Sequence, residues 1–163
     1  MLFQIRGVSG FGRERRAIEQ AVLTDAIGRV EREARDDRFL LVAGEGWHAG
    51  VIGIVASKLV DLFHKPAIVL SIDGDEVHGS CRSIPAFDML AGLESCAELL
   101  GRYGGHKQAA GLSLERDRIP AFRARINAWG DERLEPDDLI PRLRLDGALL
   151  LPDLAGDVVS GVE

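Results

Sequence analysis

"RFLLVAGEGWHAGVIGIVASKLVDLFHKPAIVLSI", residues 38–72, decides the fold class. "RFLLVA" (38–43) is a short apolar run closed by Gly44 and Gly46, which reads as a buried strand. "GVIGIVASKLVDLF" (50–63) is apolar nearly all round, as a helix covered on several sides must be. Pro66 then opens "PAIVLSI", whose β-branched content predicts a second strand. "DGD" (73–75) is a tight-turn signal, and "EVHGSCRS" (76–83) follows it as the hairpin partner.

The pattern extends in both directions. Upstream, Leu23, Ile27, Val30 and Ala34 recur at the spacing of one helical face, within a segment from Arg13 to Arg38 dense in charges of both signs. Downstream, a helix is expected from about Asp88 to Tyr103, with Met89, Leu93, Cys96 and Leu100 on one stripe. Gly104 and Gly105 are expected to stop it, where the chain must leave through positive φ. "GLSL" (111–114) reads as a short strand. Asp117 is a candidate cap for a helix with Pro120 in its first turn and Ile119, Phe122, Ile126 and Trp129 on one face. "DERLEPDD" (131–138) reads as a solvated helix end running into a linker, and "RLRLD" (142–146) alternates as a half-exposed strand would. Together these elements predict an α/β fold with a mixed β-sheet flanked by helices; the pattern leaves the strand order open.

Composition bounds the function. A chain of 163 residues suffices for one well-cored domain and a short appendage. No apolar run approaches the ~20 residues that span a bilayer, and "MLFQIRGVSGFGRERR" lacks the features of a secretory signal. Two cysteines, Cys81 and Cys96, make no disulfide framework, so a cytoplasmic location is expected. The net charge of −6 excludes binding of nucleic acid through bulk positive potential but leaves room for a local phosphate pocket.

No complete hydrolytic or redox site is visible. His48, His64, His78 and His106 lie scattered without metal-ligand spacing, and Asp73 and Asp75 are ordinary turn formers. The chain has neither a nucleophile elbow nor a phosphate loop. Two stretches suit anion binding instead. Ser80 and Arg82 are two apart in a predicted strand, so both point to one face, and a hydroxyl beside a planar guanidinium makes a phosphate clamp. The alternative is a solvent-facing pair on an edge strand. In "RYGGHKQAAG" (102–111), Gly104 and Gly105 let backbone N–H groups approach a ligand, and His106 can donate to a phosphate oxygen. The alternative there is a helix C-cap with a surface histidine. Trp47 and Trp129 sit at the edges of apolar helical stripes, which favours the core over base stacking.

The ordered series "GWHAGVIGIVASKL", "GSCRS" and "GGHKQAAG" resembles the DHHA1 domain of RecJ-type single-strand-specific exonucleases, in the DHH phosphoesterase superfamily. The resemblance runs from about Arg13 to Asp146. It implies an unplaced segment 1–12, a connecting helix over 13–37, a substrate-binding domain over 38–135, and a linker with the start of an oligonucleotide-binding barrel over 136–163. It also implies that Ser80 and Arg82 hold the five-prime phosphate of single-stranded DNA, with Gly104, Gly105 and His106 as a cleft-facing loop against the phosphate to be cleaved. The manganese or magnesium of such enzymes belongs to an Asp-His-His domain, and this chain contains no Asp-His-His motif. The resemblance therefore implies a piece of a longer five-prime to three-prime exonuclease, with the DHH catalytic domain as its partner and no metal of its own. A DHH phosphoesterase of short oligonucleotides or cyclic dinucleotides, and a non-catalytic interaction module, are the alternatives.

Overall fold

The structure, a computed structural model, describes residues 8–141. Helix α1 (Val8–Arg29) runs into a π-helical turn (Val30–Ala34). Strand β1 (Leu40–Glu45), helix α2 (Ala49–Phe63) and strand β2 (Ala67–Asp73) follow. Next come β3 (Glu76–Arg82), the short helix α3 (Met89–Glu94), β4 (Arg102–His106), β5 (Ala109–Glu115) and α4 (Ile119–Asp131).

The five strands form one mixed sheet in the order β1-β2-β3-β5-β4. β1 and β2 are parallel, because α2 supplies the crossover that parallel strands require. The β2–β3 hairpin pairs Asp73 with Glu76 and turns through Gly74, whose φ of +61° suits a residue without Cβ.

Alternate residues of each strand face opposite layers. On one face Leu40, Val42, Ala67 and Val69 pack with Val51, Val55, Ala56 and Leu59 of α2 and with Val22, Leu23 and Ala26 of α1. On the other, Leu41, Ile68, Leu70, Val77, Cys81, Leu112 and Leu114 pack with Met89 and Leu93 of α3 and Phe122 and Ile126 of α4. Each fully buried side chain of this size contributes about 1.5–3 kcal/mol. The two layers cover the sheet unequally: no residue of β4 or β5 belongs to the cluster under α1 and α2. Lys65 ties the end of the long helix to the α2–β2 loop, donating to the carbonyls of Arg35 and Asp37 at 2.7 Å each. Burial holds its pKa below the ordinary lysine value, against the opposing pull of Asp36 and Asp37.

Several expectations need correction. The helix from Asp88 does not reach Tyr103: α3 ends at Glu94, a 3-10 turn spans Ala97–Leu99, and Leu100 is already extended. Met89, Leu93 and Cys96 nevertheless stay buried, because that turn keeps the stripe on the core. "RYGGH" is a strand, so the glycines stop no helix; pairing with β5 satisfies the backbone there, as a helix end would not. Asp117 does not cap α4, whose N-cap is Arg118 without a side-chain bond. The segment 131–138 is not all solvated, since Leu134 is fully buried and Glu135 and Asp138 form a capping box. The strand expected at 142–146 and the segment 1–7 lie outside the described residues.

Candidate functional site

β3 is the middle strand of the sheet, so Ser80 and Arg82 are not an edge pair. The register extends their face sideways across β5 to β4. Arg82 pairs with Ala109, which pairs with His106. Ser80 pairs with Gly111, which pairs with Gly104. His78 pairs with Ser113, which pairs with Arg102. Directly paired residues share a face, so these rows lie side by side, about 6.8 Å apart along the strands and about 4.8 Å between strands. This is the half of the sheet that α1 and α2 leave uncovered, and Arg102, Gly104, His106 and Gly111 are all exposed on it.

The wall beside this platform is α2. A Cβ on Gly53 would stand 3.1 Å from Ser80 Oγ and 3.2 Å from Arg82 Nη2, so the helix passes closely over the pair at a residue without a side chain. Arg82 Nη1 donates to the Cys81 carbonyl at 2.7 Å and to Ser80 Oγ at 3.3 Å. Among the described residues no carboxylate pairs with it. A half-buried guanidinium held by neutral oxygens keeps donors free for an anion.

His106 ends β4 at a two-residue turn, Lys107–Gln108, before Ala109. Its Nδ1 accepts a long bond of 3.4 Å from the Gln108 amide, which leaves the imidazole proton on Nε2 to donate outward. The turn is anchored from below. The Ser83 amide donates to the Gln108 carbonyl and the Met89 amide to the Lys107 carbonyl, at 3.0 Å each, and Gln108 Nε2 donates to the Ile84 carbonyl at 3.3 Å.

The glycines divide by role. Gly105 has φ +146°, and a Cβ there would meet the Ala109 carbonyl oxygen at 2.4 Å, so the fold itself demands glycine. A Cβ on Gly104 would meet nothing within 4 Å, and on Gly111 only the Gly79 carbonyl oxygen at 3.7 Å. The packing of the fold does not require glycine at these two paired positions, where it leaves a low floor between Ser80 and β4. Gly53 was not singled out from the sequence, and neither was the pairing of Ala109 and Gly111 with Arg82 and Ser80, although the small residues around His106 already read as a low-relief surface. The signal was present as the period-two series Arg102, Gly104, His106 and Ala109, Gly111, Ser113, legible once 102–106 is read as a strand.

The remaining candidates lie elsewhere. His48 Nδ1 caps α2 by accepting from the Gly50 amide at 2.9 Å, and His64 is that helix's left-handed C-cap. Trp47 is buried, donating to Asp25 Oδ2 at 3.1 Å, and Trp129 packs against the opposite core with the Arg133 guanidinium over its ring. Cys81 faces away from the platform, and burial pushes its thiol up to about 12 despite the nearby Arg82 charge. Burial also raises the pKa of Cys96. No group of three or more His, Cys, Asp or Glu among the described residues could hold a metal ion, so manganese or magnesium does not fit this donor set. The platform offers a guanidinium, a hydroxyl, an imidazole and open backbone. These donors are suited to holding an anion.

Residues 36–132 match the DHHA1 domain family. The chain is similar to the single-stranded-DNA-specific exonuclease RecJ of Bacillus subtilis, 40% identical over 155 residues, covering 94% of this chain and 20% of the relative. It is also similar to that of Escherichia coli, 35% identical over 156 residues, covering 90% of this chain and 27% of the relative. The chain thus spans between a fifth and just over a quarter of the length of these curated relatives. Among solved structures, manganese-bound RecJ from Thermus thermophilus superposes with a TM-score of 0.68 at 29% identity, covering 76% of this chain and 18% of that one. No helix among the described residues is long and apolar enough to cross a membrane.

Proposed function

The chain belongs to the DHHA1 domain family, and from that premise we propose that its open sheet face holds single-stranded DNA for a RecJ-type five-prime to three-prime exonuclease. Arg82 and Ser80 take the five-prime phosphate. The guanidinium offers a fork of donors, and the hydroxyl adds one more. His106 donates from Nε2 to the phosphodiester that is to be cleaved. Gly104, with Gly111 beside it, keeps the floor low enough for that phosphodiester to lie against the backbone, and Gly105 lets the chain make the turn that carries His106. Bond cleavage falls to a metal-bearing DHH domain outside this chain, to which residues 13–37 form the connection. The observation that carries this reading is the convergence of Arg82, Ser80 and His106 on one glycine-floored face, with Arg82 unpaired by any carboxylate among the described residues.

The test is fluorescence anisotropy on this chain with a short single-stranded DNA, with and without a five-prime phosphate, at low and moderate salt. Binding should prefer the phosphorylated strand, weaken with salt and weaken further in Arg82→Ala and in His106→Ala. Absence of binding at low salt, or an Arg82→Ala variant as tight as wild type, would overturn the reading. So would hydrolysis of the strand by the rigorously purified chain supplied with manganese.

A further inference from the structure

The platform does not end at Ser80. Beyond Gly111 it opens into a concavity of about 750 Å³, lined among others by Gly111, His78, Ser113 and Arg102. His78, Ser113 and Arg102 form the next row of the same face, one strand repeat (about 6.8 Å) past the Ser80 row. Arg102 is exposed, and among the described residues its guanidinium has no hydrogen-bond or ion-pair partner. A free guanidinium, a hydroxyl and an imidazole thus repeat the donor types of the Arg82 end, with glycine between them.

The row after that is different. Glu76 and Glu115 pair directly across β3 and β5 and line the far end of the concavity. Each has a basic neighbour, His78 at 3.8 Å from Glu76 and Arg118 at 3.4 Å from Glu115. The carboxylates still face any anion that advances past Arg102, so the cationic path is bounded.

We propose that His78, Ser113 and Arg102 form a second phosphodiester subsite for the same single strand, and that the Glu76–Glu115 row marks where this chain stops contacting it. The strand then lies along the sheet for about 14 Å, from the Arg82 row to the Arg102 row. This rests on the reading of Arg82 and Ser80 above, and the experiment separates the two.

Thymidine oligomers of one to five nucleotides, each with a five-prime phosphate, are titrated against wild type, Arg82→Ala, Arg102→Ala and Arg102→Glu across a salt series. Wild-type affinity should rise with length up to about three phosphates and then level off. Arg102→Ala should bind the mononucleotide as wild type does and lose the rise with length. For the longer oligomers its slope of log affinity against log salt should flatten by about 0.7, the share of one phosphate contact on a single strand. Arg102→Glu should lower affinity for the longer oligomers further. Exposure of Arg102 makes both variants foldable, which a thermal melt checks. If both Arg102 variants match wild type in length dependence and slope while Arg82→Ala weakens every length, the second subsite is wrong and the first stands. If Arg82→Ala leaves even the mononucleotide unaffected, the first reading falls and this one with it.

Discussion

Replacing Gly53 with alanine adds one methyl group 3.1 Å from Ser80 Oγ and 3.2 Å from Arg82 Nη2. Both atoms end mobile side chains, so they yield by a few tenths of an ångström and the backbone stays in place. For the helix the change is favourable: alanine in a helix interior is worth about 0.8–1 kcal/mol over glycine. For the anion site it is unfavourable, because the guanidinium must leave the position from which it forks. A hydrogen bond to a charged group contributes about 1.5–3 kcal/mol. Disturbing one arm of the fork should therefore cost about 1–2 kcal/mol, or roughly 5- to 30-fold in affinity. Gly53→Ala should thus melt at or above the wild-type temperature and bind five-prime-phosphorylated DNA more weakly. Calorimetry reads the first and fluorescence anisotropy the second. A double-mutant cycle with Arg82→Ala closes the test: if Gly53 acts through Arg82, the double variant binds no worse than Arg82→Ala alone. Unchanged binding in Gly53→Ala, or losses that add in the double variant, would refute the placement of Gly53 as a positioning residue.

Gly104→Ala should keep the wild-type melting temperature and lose DNA affinity, since the new methyl enters open space over the floor. Gly105→Ala should lose stability first, by more than 1 kcal/mol, because its φ of +146° and a 2.4 Å approach to the Ala109 carbonyl oxygen forbid a side chain; comparing melts and titrations separates the pair. Stability should fall as pH rises above about 9: Cys81 keeps its proton in the fold up to about 12, while the unfolded thiol ionises near 9.0. That contribution is full below the unfolded value and is lost on the way to the folded one, and Cys81→Ala should flatten urea-melt stability against pH in this window. Leu59→Ala, at a fully buried position of α2, should cost about 2–5 kcal/mol in the same melts.

How much of this was legible depends on whether the signal was local. β1, α2, β2 and the hairpin to β3 announce themselves in apolar runs and turn residues within each segment, and the structure keeps them within a residue or two. β4 does not. "RYGGH" has two glycines and no β-branched residue, so its strand propensity is poor, and only pairing with β5 makes it a strand. Losing β4 turned Gly104 and Gly105 into a helix stop and hid the row from Arg82 to His106. The common face of Ser80 and Arg82 was legible because a period of two is local. That β3 lies mid-sheet was not, because strand order comes from contacts between distant segments.

The unequal coverage of the sheet explains how an acidic chain can carry the anion platform proposed above. α2 buries β1 and β2 and passes over β3 at Gly53, and the β4–β5 hairpin extends the sheet beyond it. An uncovered half-sheet would ordinarily gain stability from larger side chains, since glycine within a strand costs about 0.5–1 kcal/mol relative to alanine. At Gly105 the fold explains the glycine through backbone crowding. At Gly104 and Gly111 it does not, because side chains there would meet open space or an ordinary contact. A pair of directly opposed glycines that packing does not require, set between Ser80 and the free edge of β4, suits close approach by a ligand. On the proposed reading, charge then selects the ligand. The donors Arg82, His106 and Arg102 sit around that floor, and the paired carboxylates of Glu76 and Glu115 sit beyond it. The net charge of −6 is thereby compatible with a local anion site, because the potential a ligand meets depends on which side chains share its face of the sheet.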